Sequence, residues 1–407
     1  MEDRLPAYTL FGGILAAAGL PIYIYAPPYY AENYGVTLTG IAAVLFWLRL
    51  FDAVQDPVLG WISERLGRHR GLGVAIGALI LAASMIGLFS VPPPIAPLAW
   101  FAITITGLFS AFSFLTINFY AQGVSKALTL RGSHMRLAAW RETGSLLGVC
   151  IAAVAPSLLL GIIDSPYSGF AWGFSGFVLI AVMAMWPEWK PTKIETEKTP
   201  IRTIWADGQA RRLLILALIN ATPLAVSSTL FLFFVEDRLA APGWEGPLLV
   251  LFFLSGAVAA PFWSRAASRF GPKRALLFAM VLAVITFGFA VLLRDGDVML
   301  FAIICVASGA TIGADLTLMP ALFAKRMGEI SPNGGQGFGL WSLVNKMSLA
   351  FAAIALLPLL EASGFDASAQ TQPHVALTTL TILYALVPLA LKLFAIALLV
   401  ATKLGND

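Results

Sequence analysis

Charged residues are scarce in this chain of 407 residues: they make up 12% of it, whereas hydrophobic residues make up 59% and the mean hydropathy is +0.84. Soluble domains carry about 25% charged residues, so an ordinary soluble protein is excluded. Cysteine and histidine are also rare, with two and three copies. Cys150 and Cys305 lie within apolar runs and the histidines are scattered over loops, which argues against a disulfide framework, a zinc site or a resident cofactor.

Long apolar runs are abundant instead. Each is long enough to cross a hydrocarbon core of roughly 30 Å as a helix of about 20 residues. We therefore predict an all-α integral membrane protein with twelve transmembrane helices. The runs cover 7–30, 37–62, 72–91, 97–124, 137–160, 167–186, 212–235, 246–264, 275–293, 298–323, 337–360 and 376–401.

Lysine and arginine are distributed unequally between the two sides of these runs. Of 26 such residues, four fall inside runs, Arg238 and Arg294 fall in loops of one side, and the other 20 fall on the opposite side. Positive residues favour the cytoplasm. We expect both termini in the cytoplasm of a multi-pass protein of the bacterial inner membrane, and the isoelectric point of 9.1 then reflects topology and not nucleic-acid binding.

The chain repeats itself once. The charged connector 187–210 separates a first half, 1–186, from a second half, 211–407. "GWISERLGRHR" follows the second run and "SRAASRFGPKR" follows the eighth, which predicts two pseudo-symmetric six-helix halves. A shift of 204 residues superposes Arg65 on Arg269, Gly67 on Gly271 and Arg70 on Arg274.

This loop motif resembles the G-x-x-x-D-R-x-G-R-x-R pattern of the major facilitator superfamily, with Glu64 in the place of the usual Asp. The resemblance implies the major facilitator fold and a conformational gate on the cytoplasmic side. The alternative is a basic loop that only sets topology. The gate residues would be Gly60, Glu64, Arg65, Gly67, Arg68 and Arg70, with Arg269, Gly271 and Arg274 in the repeat.

The stretch "LFWLRLFDAVQDPVLGW" places Arg49, Asp52 and Asp56 on one helix face within roughly 60°. A charge facing lipid at the bilayer centre costs about 2.5–3.5 kcal/mol, so this stripe must face protein or water. A structural ion pair between Arg49 and Asp52 is one explanation. A functional cluster is the other.

Two carboxylates four residues apart are harder to explain as structure. At about 6 Å and an effective dielectric constant near 20, their repulsion is about 2.8 kcal/mol, so a cation must lie between them or one must be protonated. Pro57 leaves the carbonyl of Ala53 without its helix donor. Asp52, Asp56 and Ala53 therefore form a candidate cation site, with sodium as the tentative metal ion and a proton as its rival.

The same stretch resembles the second-span signature of the glycoside-pentoside-hexuronide cation symporters, the family that includes melibiose permease. That resemblance covers most of the chain and implies that the paired acids bind the coupling cation. Arg49, Arg141 in "RLAAWRETGSLLG" and Lys346 in "GLWSLVNKMSLAFAAIA" would be charge partners. The positions of the family's sugar-binding acids are occupied by Ala16 and Asn118, so a melibiose-like substrate is not implied.

Aromatic and weakly polar residues remain to line a substrate cavity, a combination that suits a glycoside-like or amphiphilic solute. Packing within the bundle is the alternative for each of them. The candidates are Tyr23, Tyr25, Asn118, Tyr120, Gln122, Trp140, Trp341 and Asn345.

These patterns predict a monomeric secondary active transporter, not an enzyme, that moves a small organic solute together with sodium or a proton by alternating access. An exporter or lipid flippase on the same fold is the main alternative, and a transport-dead sensor is another. An intramembrane prenyltransferase is disfavoured because its second acidic motif could only be the loop pairs Glu236–Asp237 or Asp295–Asp297. No nucleotide-binding G-x-x-x-x-G-K-[ST] loop occurs.

Overall fold

A computed structural model describes residues 4–129, 134–159, 162–189, 199–365 and 371–402. Within these ranges all regular structure is helical. The α-helices are α1 (Leu5–Ile24), α2 (Ala26–Tyr34), α3 (Leu38–Leu66), α4 (Arg70–Phe89), α5 (Pro97–Thr129), α6 (His134–Leu159), α7 (Pro166–Met185), α8 (Ile201–Ala206), α9 (Gly208–Phe233), α10 (Glu245–Phe270), α11 (Pro272–Gly288), α12 (Val298–Ile330), α13 (Gly335–Ala362), α14 (His374–Thr381) and α15 (Val387–Ala401).

Every predicted apolar run falls on one or two of these helices. In the described part of the chain, ten stretches are long and apolar enough to cross a membrane, judged by length and composition. One of them, Val54–Phe89, continues from α3 through a 3₁₀ turn into α4, and a shorter apolar helix, Leu5–Gly19, lies in α1. The all-helical membrane class is thus supported, while the number of twelve spans stays a prediction.

The chain forms two compact units. The first unit comprises Met1–Trp205 and Ala324–Leu343, and the second comprises Ala206–Phe323 and Val344–Asp407. The division near residue 206 falls inside the predicted connector 187–210. Ala324–Leu343 differs from the predicted boundaries, because this segment of the second sequence half packs with the first unit.

Polar caps and glycines mark the ends of several helices. The side chain of Thr37 accepts a hydrogen bond from Gly40 N (3.2 Å) at the start of α3, and Asp207 accepts one from Ala210 N (2.7 Å) at the start of α9. Gly67 ends α3 at φ +45°, and Gly271 ends α10 at φ +89°. Both backbone conformations favour glycine, which accounts for this pair of superposed residues.

Each unit has its own aromatic core. In the first unit, Phe119 packs against Tyr8 and Phe11, with ring centroids 5.6 and 5.0 Å apart. In the second unit, Tyr384 stacks on Phe234 at 4.0 Å. These rings lie in fully or nearly fully buried positions and fix how the helices within each unit pack.

Helices α1 and α6 approach each other closely through glycine. A Cβ atom added at Gly144 would lie 2.0 Å from the carbonyl oxygen of Thr9, and one added at Gly148 would lie 2.1 Å from that of Gly13. Small residues allow such backbone contact between membrane helices. A larger side chain would have to push α1 and α6 apart.

We expect Gly148→Val to lower the melting temperature of the purified protein, by an amount that corresponds to about 1–3 kcal/mol of overpacking. Gly176→Val on α7 is the matched control, since a Cβ there meets no atom within 4 Å. Tryptophan fluorescence on heating provides the measurement. Equal melting temperatures for the two variants would contradict the close approach of α1 and α6.

Candidate cation site and gate motif

The two predicted cation ligands both lie buried on α3. The side chains of Asp52 and Asp56 are 4% and 0% exposed. Asp52 Oδ1 accepts hydrogen bonds from Gln55 Nε2 (2.8 Å) and from Ser113 Oγ (2.9 Å) on α5. Ser110 Oγ, also on α5, donates to Gln55 Oε1 (2.9 Å). Asp52 is therefore held by two hydrogen-bond donors, the amide nitrogen of Gln55 on α3 and the hydroxyl of Ser113 on α5.

This arrangement suits a hard cation chemically. Carboxylate, hydroxyl and amide oxygens are the ligands that hard cations prefer, and hydrogen bonds to the charged form stabilise a carboxylate in an apolar bundle. Asp56 is followed by Pro57 within α3, where the missing N–H interrupts the ladder of helix hydrogen bonds. The site thus combines two acids, a serine hydroxyl and an irregular backbone.

Three of the predicted residues are described only in part. The backbones of Tyr23, Arg49 and Ala53 lie in α1 and α3, but their side chains are outside the described residues.

Lys346 is partly buried on the portion of α13 that belongs to the second unit, whereas Asp52 and Asp56 belong to the first. The predicted roles of these residues stay predictions.

Arg141 has a charge partner inside the first unit. Its Nε donates to Glu142 Oε1 (2.7 Å), and both side chains are buried. The guanidinium carbon lies 3.7 Å from the ring centroid of Tyr120, whose hydroxyl donates to Glu142 Oε1 (3.0 Å). Carboxylate and ring together stabilise a cation that would otherwise be costly to bury.

The other predicted cavity residues on α5 have partners within the first unit. Asn118 Oδ1 accepts from Ser63 Oγ (2.7 Å), and its Nδ2 donates to the carbonyl of Phe114 (2.7 Å). Gln122 Nε2 donates to the carbonyl of Glu188 (2.5 Å), whose carboxylate also pairs with Lys126 (2.9 Å). The contacts of Gln122 and Lys126 with Glu188 hold α5 against the chain that follows α7.

The remaining cavity candidates differ in environment. The hydroxyl of Tyr25 donates to the carbonyl of Ala153 on α6. Trp140 is 39% exposed, whereas Trp341 is buried in the first unit. Asn345 belongs to the second unit, and its carbonyl accepts from Ser348 Oγ (2.7 Å).

The predicted gate motif contacts the start of α13, which belongs to the same unit. Glu64 accepts from Gln336 N (2.8 Å) and Gln336 Nε2 (2.9 Å), and Arg70 Nη2 donates to the carbonyl of Asn333 (3.3 Å). A Cβ at Gly60 would lie 2.6 Å from the carbonyl oxygen of Gly335. The acid thus satisfies N–H groups at a helix N-terminus, where negative charge is favoured.

Other motif residues make local contacts. The guanidinium carbon of Arg65 lies 3.7 Å from the ring centroid of Trp61, and Arg68 Nε donates to His69 Nε2 (3.2 Å). In the repeat, Arg269 lies over the ring of Phe270 at 5.3 Å, and Arg274 is exposed.

Sequence patterns did not identify several of these partners. Ser113 lies 61 residues from Asp52, and Gln336 lies 272 residues from Glu64, so no local spacing joins them. Glu142 carried a usable signal, because it is an acid directly beside a membrane-embedded arginine. Glu188 lies in the predicted connector and gave no such signal.

The helical spans, the internal repeat and the buried charges define the class: a multi-pass membrane transporter with a major facilitator fold. The model of the family described as "MFS/sugar transport protein" matches residues 9–406. The chain belongs to this family, whose members are transporters and not enzymes.

Individual relatives are distant. The inner membrane symporter YicJ of Escherichia coli (strain K12) is 24% identical over 238 residues. The match covers 54% of this chain and about half, 51%, of the length of that relative. Two crystal structures of a bacterial homologue of the iron transporter ferroportin, outward-facing, one with soaked iron, share the fold. Both have a TM-score of 0.71, with 14% and 13% identity and coverage of 98% and 100% of both chains.

We expect Glu64→Ala to loosen the start of α13. Hydrogen bonds to charged groups contribute about 1.5–3 kcal/mol, so amide exchange in residues 333–339 should become about 10- to 100-fold faster. Hydrogen–deuterium exchange with peptide mapping measures this change.

Glu329→Ala is the matched control, since Glu329 pairs with Arg326 on the exposed surface of α12. That variant should leave residues 333–339 unchanged. Unchanged exchange in Glu64→Ala would show that the carboxylate does not hold this helix start.

Proposed function

We propose that this protein is a cation-coupled symporter that moves a small organic solute across the membrane by alternating access. The observation that carries the proposal is the buried pair of acids, Asp52 and Asp56, on a proline-interrupted helix, with the hydroxyl of Ser113 on α5 beside Asp52. Ionisable groups within a membrane bundle are costly, so their presence favours a functional role. The membership of the transporter family supports the general class.

The coupling ion is proposed to be sodium, with a proton as the rival. Sodium requires several oxygen ligands, and the carboxylate of Asp52 and the hydroxyl of Ser113 bring such atoms together. A proton requires only a carboxylate whose neighbour disfavours a second negative charge. Asp52 and Asp56, four residues apart on one helix, meet this requirement as well.

The proposed solute is glycoside-like or amphiphilic. The family description names sugar transport and the distant relative YicJ is named a symporter, which supports a solute carried with an ion. Ala16 and Asn118 are not acids, so a bidentate grip on sugar hydroxyls by carboxylates is not proposed. Export, or transport of a lipid, remains the alternative on the same fold.

The proposed setting is the bacterial inner membrane, with both termini in the cytoplasm and the protein acting as a monomer. The lysine and arginine asymmetry of the loops supports the orientation. In this orientation the gate motif around Glu64 faces the cytoplasm. Its contacts with Gln336 and Asn333 would then hold the start of α13 during one part of the transport cycle.

We expect sodium to raise the melting temperature of the purified protein and Asp56→Asn to abolish that rise, because a ligand that binds the native state stabilises it. At 100 times the dissociation constant, the stabilisation is about 2.7 kcal/mol. Thermal melts in sodium, lithium and choline salts at several pH values measure the effect. Asp52→Asn should reduce the rise as well.

Asp295→Asn, in an exposed loop, is the matched control and should respond to sodium as the parent does. An equal rise in Asp56→Asn would refute the assignment of the acids. Stabilisation by lowered pH alone, with no response to sodium, would make the protein proton-coupled.

We also expect Ser113→Ala to weaken sodium binding by about tenfold, because it removes a hydroxyl that contacts Asp52. Thr106→Ala on the same helix is the control, since the Thr106 hydroxyl donates to the backbone carbonyl of Ala102 (2.6 Å) within α5. Calorimetric titration with sodium chloride compares them. Equal affinities would place the cation away from α5.

A further inference from the structure

The exposed side of α3 carries a continuous apolar stripe, on the face opposite the buried acids Asp52 and Asp56. Its residues recur every three or four positions, so they lie on one side of the helix. Each is 43–66% exposed, and together they are Trp47, Leu50, Val54, Val58 and Trp61. In a transporter of this family, an exposed apolar stripe on a long helix contacts the acyl chains of lipids.

Arg65 occupies the next position of this stripe. Its side chain is exposed, and its guanidinium carbon lies 3.7 Å from the ring centroid of Trp61. At 1.5 Å per residue, α3 rises about 27 Å from Trp47 to Arg65, close to the roughly 30 Å of a hydrocarbon core. The stripe therefore spans the acyl region and places Arg65 at the depth of the lipid headgroups.

The positive charge at the end of the stripe is not neutralised within the described part of the chain. Arg65 forms no ion pair with a carboxylate among the residues that the structure describes. The neighbouring Glu64 is buried and accepts from Gln336. Arg68 is exposed as well, and its Nε donates to His69 Nε2 (3.2 Å). Two exposed guanidinium groups thus lie together where the apolar stripe ends.

The contact of Arg65 with Trp61 gives this positive end a defined geometry. A ring beneath a guanidinium fixes its orientation, and the planar fork of arginine suits bidentate binding of phosphate oxygens. Tryptophan itself favours the border between acyl chains and headgroups. Stripe, ring and guanidinium follow one another in the same order as the acyl chain, glycerol backbone and phosphate of a phospholipid.

We propose that this end of α3 is a binding site for an anionic phospholipid. The acyl chain lies along the stripe, and the phosphate contacts Arg65, which the ring of Trp61 holds in place. Arg68 adds attraction for the net negative charge, which a zwitterionic lipid lacks. Because Glu64 beside Arg65 bonds the start of α13, the bound lipid restrains the helix end that carries the gate motif.

Helix α13 provides a matched apolar position without the basic end. Ile354 is 65% exposed and Val58 is 54% exposed. Seven residues after Ile354 stands Glu361, whereas seven residues after Val58 stands Arg65, and both of these charged side chains are exposed. Contact with acyl chains is thus available at both places, and only α3 offers a partner for a negative headgroup.

Quenching of a site-specific fluorophore tests the proposal in the full chain. Val58→Cys is labelled and placed in phosphatidylcholine nanodiscs, and the native Cys150 and Cys305 are buried. Nitroxide-bearing phosphatidylglycerol or phosphatidylcholine is then added in increasing fractions. Phosphatidylglycerol should quench with about 5- to 25-fold higher apparent affinity, given about fivefold per arginine. A label at Ile354→Cys should show no such preference.

Substitutions in the labelled Val58→Cys protein separate a defined site from diffuse attraction. Arg65→Gln should weaken phosphatidylglycerol binding about fivefold, and Trp61→Leu about two- to fivefold. Arg65→Lys should weaken it too, because it keeps the charge but loses the planar fork. Arg326→Gln is the control and should bind as the labelled parent does, since Arg326 already pairs with Glu329 (2.6 Å).

Parent-like affinity in Arg65→Gln would overturn the proposal. Parent-like affinity in both Arg65→Lys and Trp61→Leu would also overturn it, because the attraction would then depend on charge alone. Equal quenching by the two lipids at Val58→Cys would do the same.

A free phosphate ester offers the same headgroup chemistry without acyl chains. Excess glycerol 3-phosphate should not displace the nitroxide-bearing lipid, because it gains nothing from the stripe. Displacement would show a phosphate site and not a lipid site. The inference goes beyond the proposed symport and does not depend on it, since neither solute nor sodium is present. Its failure would leave the assignment of Asp52 and Asp56 untouched.

Discussion

The cost of an ionised side chain in an apolar bundle is the constraint on which the structure depends. A charge at the bilayer centre costs about 2.5–3.5 kcal/mol on insertion scales, so each one needs a partner. Arg141 has Glu142 and the ring of Tyr120, Asp52 has Gln55 and Ser113, and Lys392 has Asp315 and Asn220. Each of these partners lies in the same unit as the charge that it stabilises.

Helix α3 links the candidate cation site to the gate motif. Asp52 and Asp56 lie in its middle, and Glu64 lies two turns beyond Asp56. The start of α13 packs on the same helix, since a Cβ at Gly339 would lie 2.8 Å from the carbonyl oxygen of Asp56, and Glu64 bonds Gln336. A shift of α3 on cation binding would therefore change its contacts with the start of α13. If the protein is the proposed symporter, this contact between α3 and α13 would couple ion occupancy to its gate.

The helices and some of their ends could be predicted from the sequence, whereas most side-chain partners could not. The lengths of the apolar runs predicted the helices. The repeated glycines Gly67 and Gly271 lie at two helix ends, where φ is positive. Side-chain partners such as Ser113 and Gln336 depend on packing between distant segments, which no local pattern encodes. Asp315 is visible in the sequence as an acid within the run 298–323, but its partners Lys392 and Asn220 lie on other helices and no local pattern joins them to it.

The most direct test of the account is gradient-driven accumulation in proteoliposomes, using a solute that stabilises the purified protein. The account predicts accumulation above equilibrium with an inward sodium or proton gradient, dissipated by collapse of that gradient. Asp56→Asn should lose accumulation but keep exchange of solute across the membrane at equilibrium, because the solute path does not need the coupling ion. Accumulation by Asp56→Asn equal to that of the parent, or accumulation that needs no cation gradient, would contradict it.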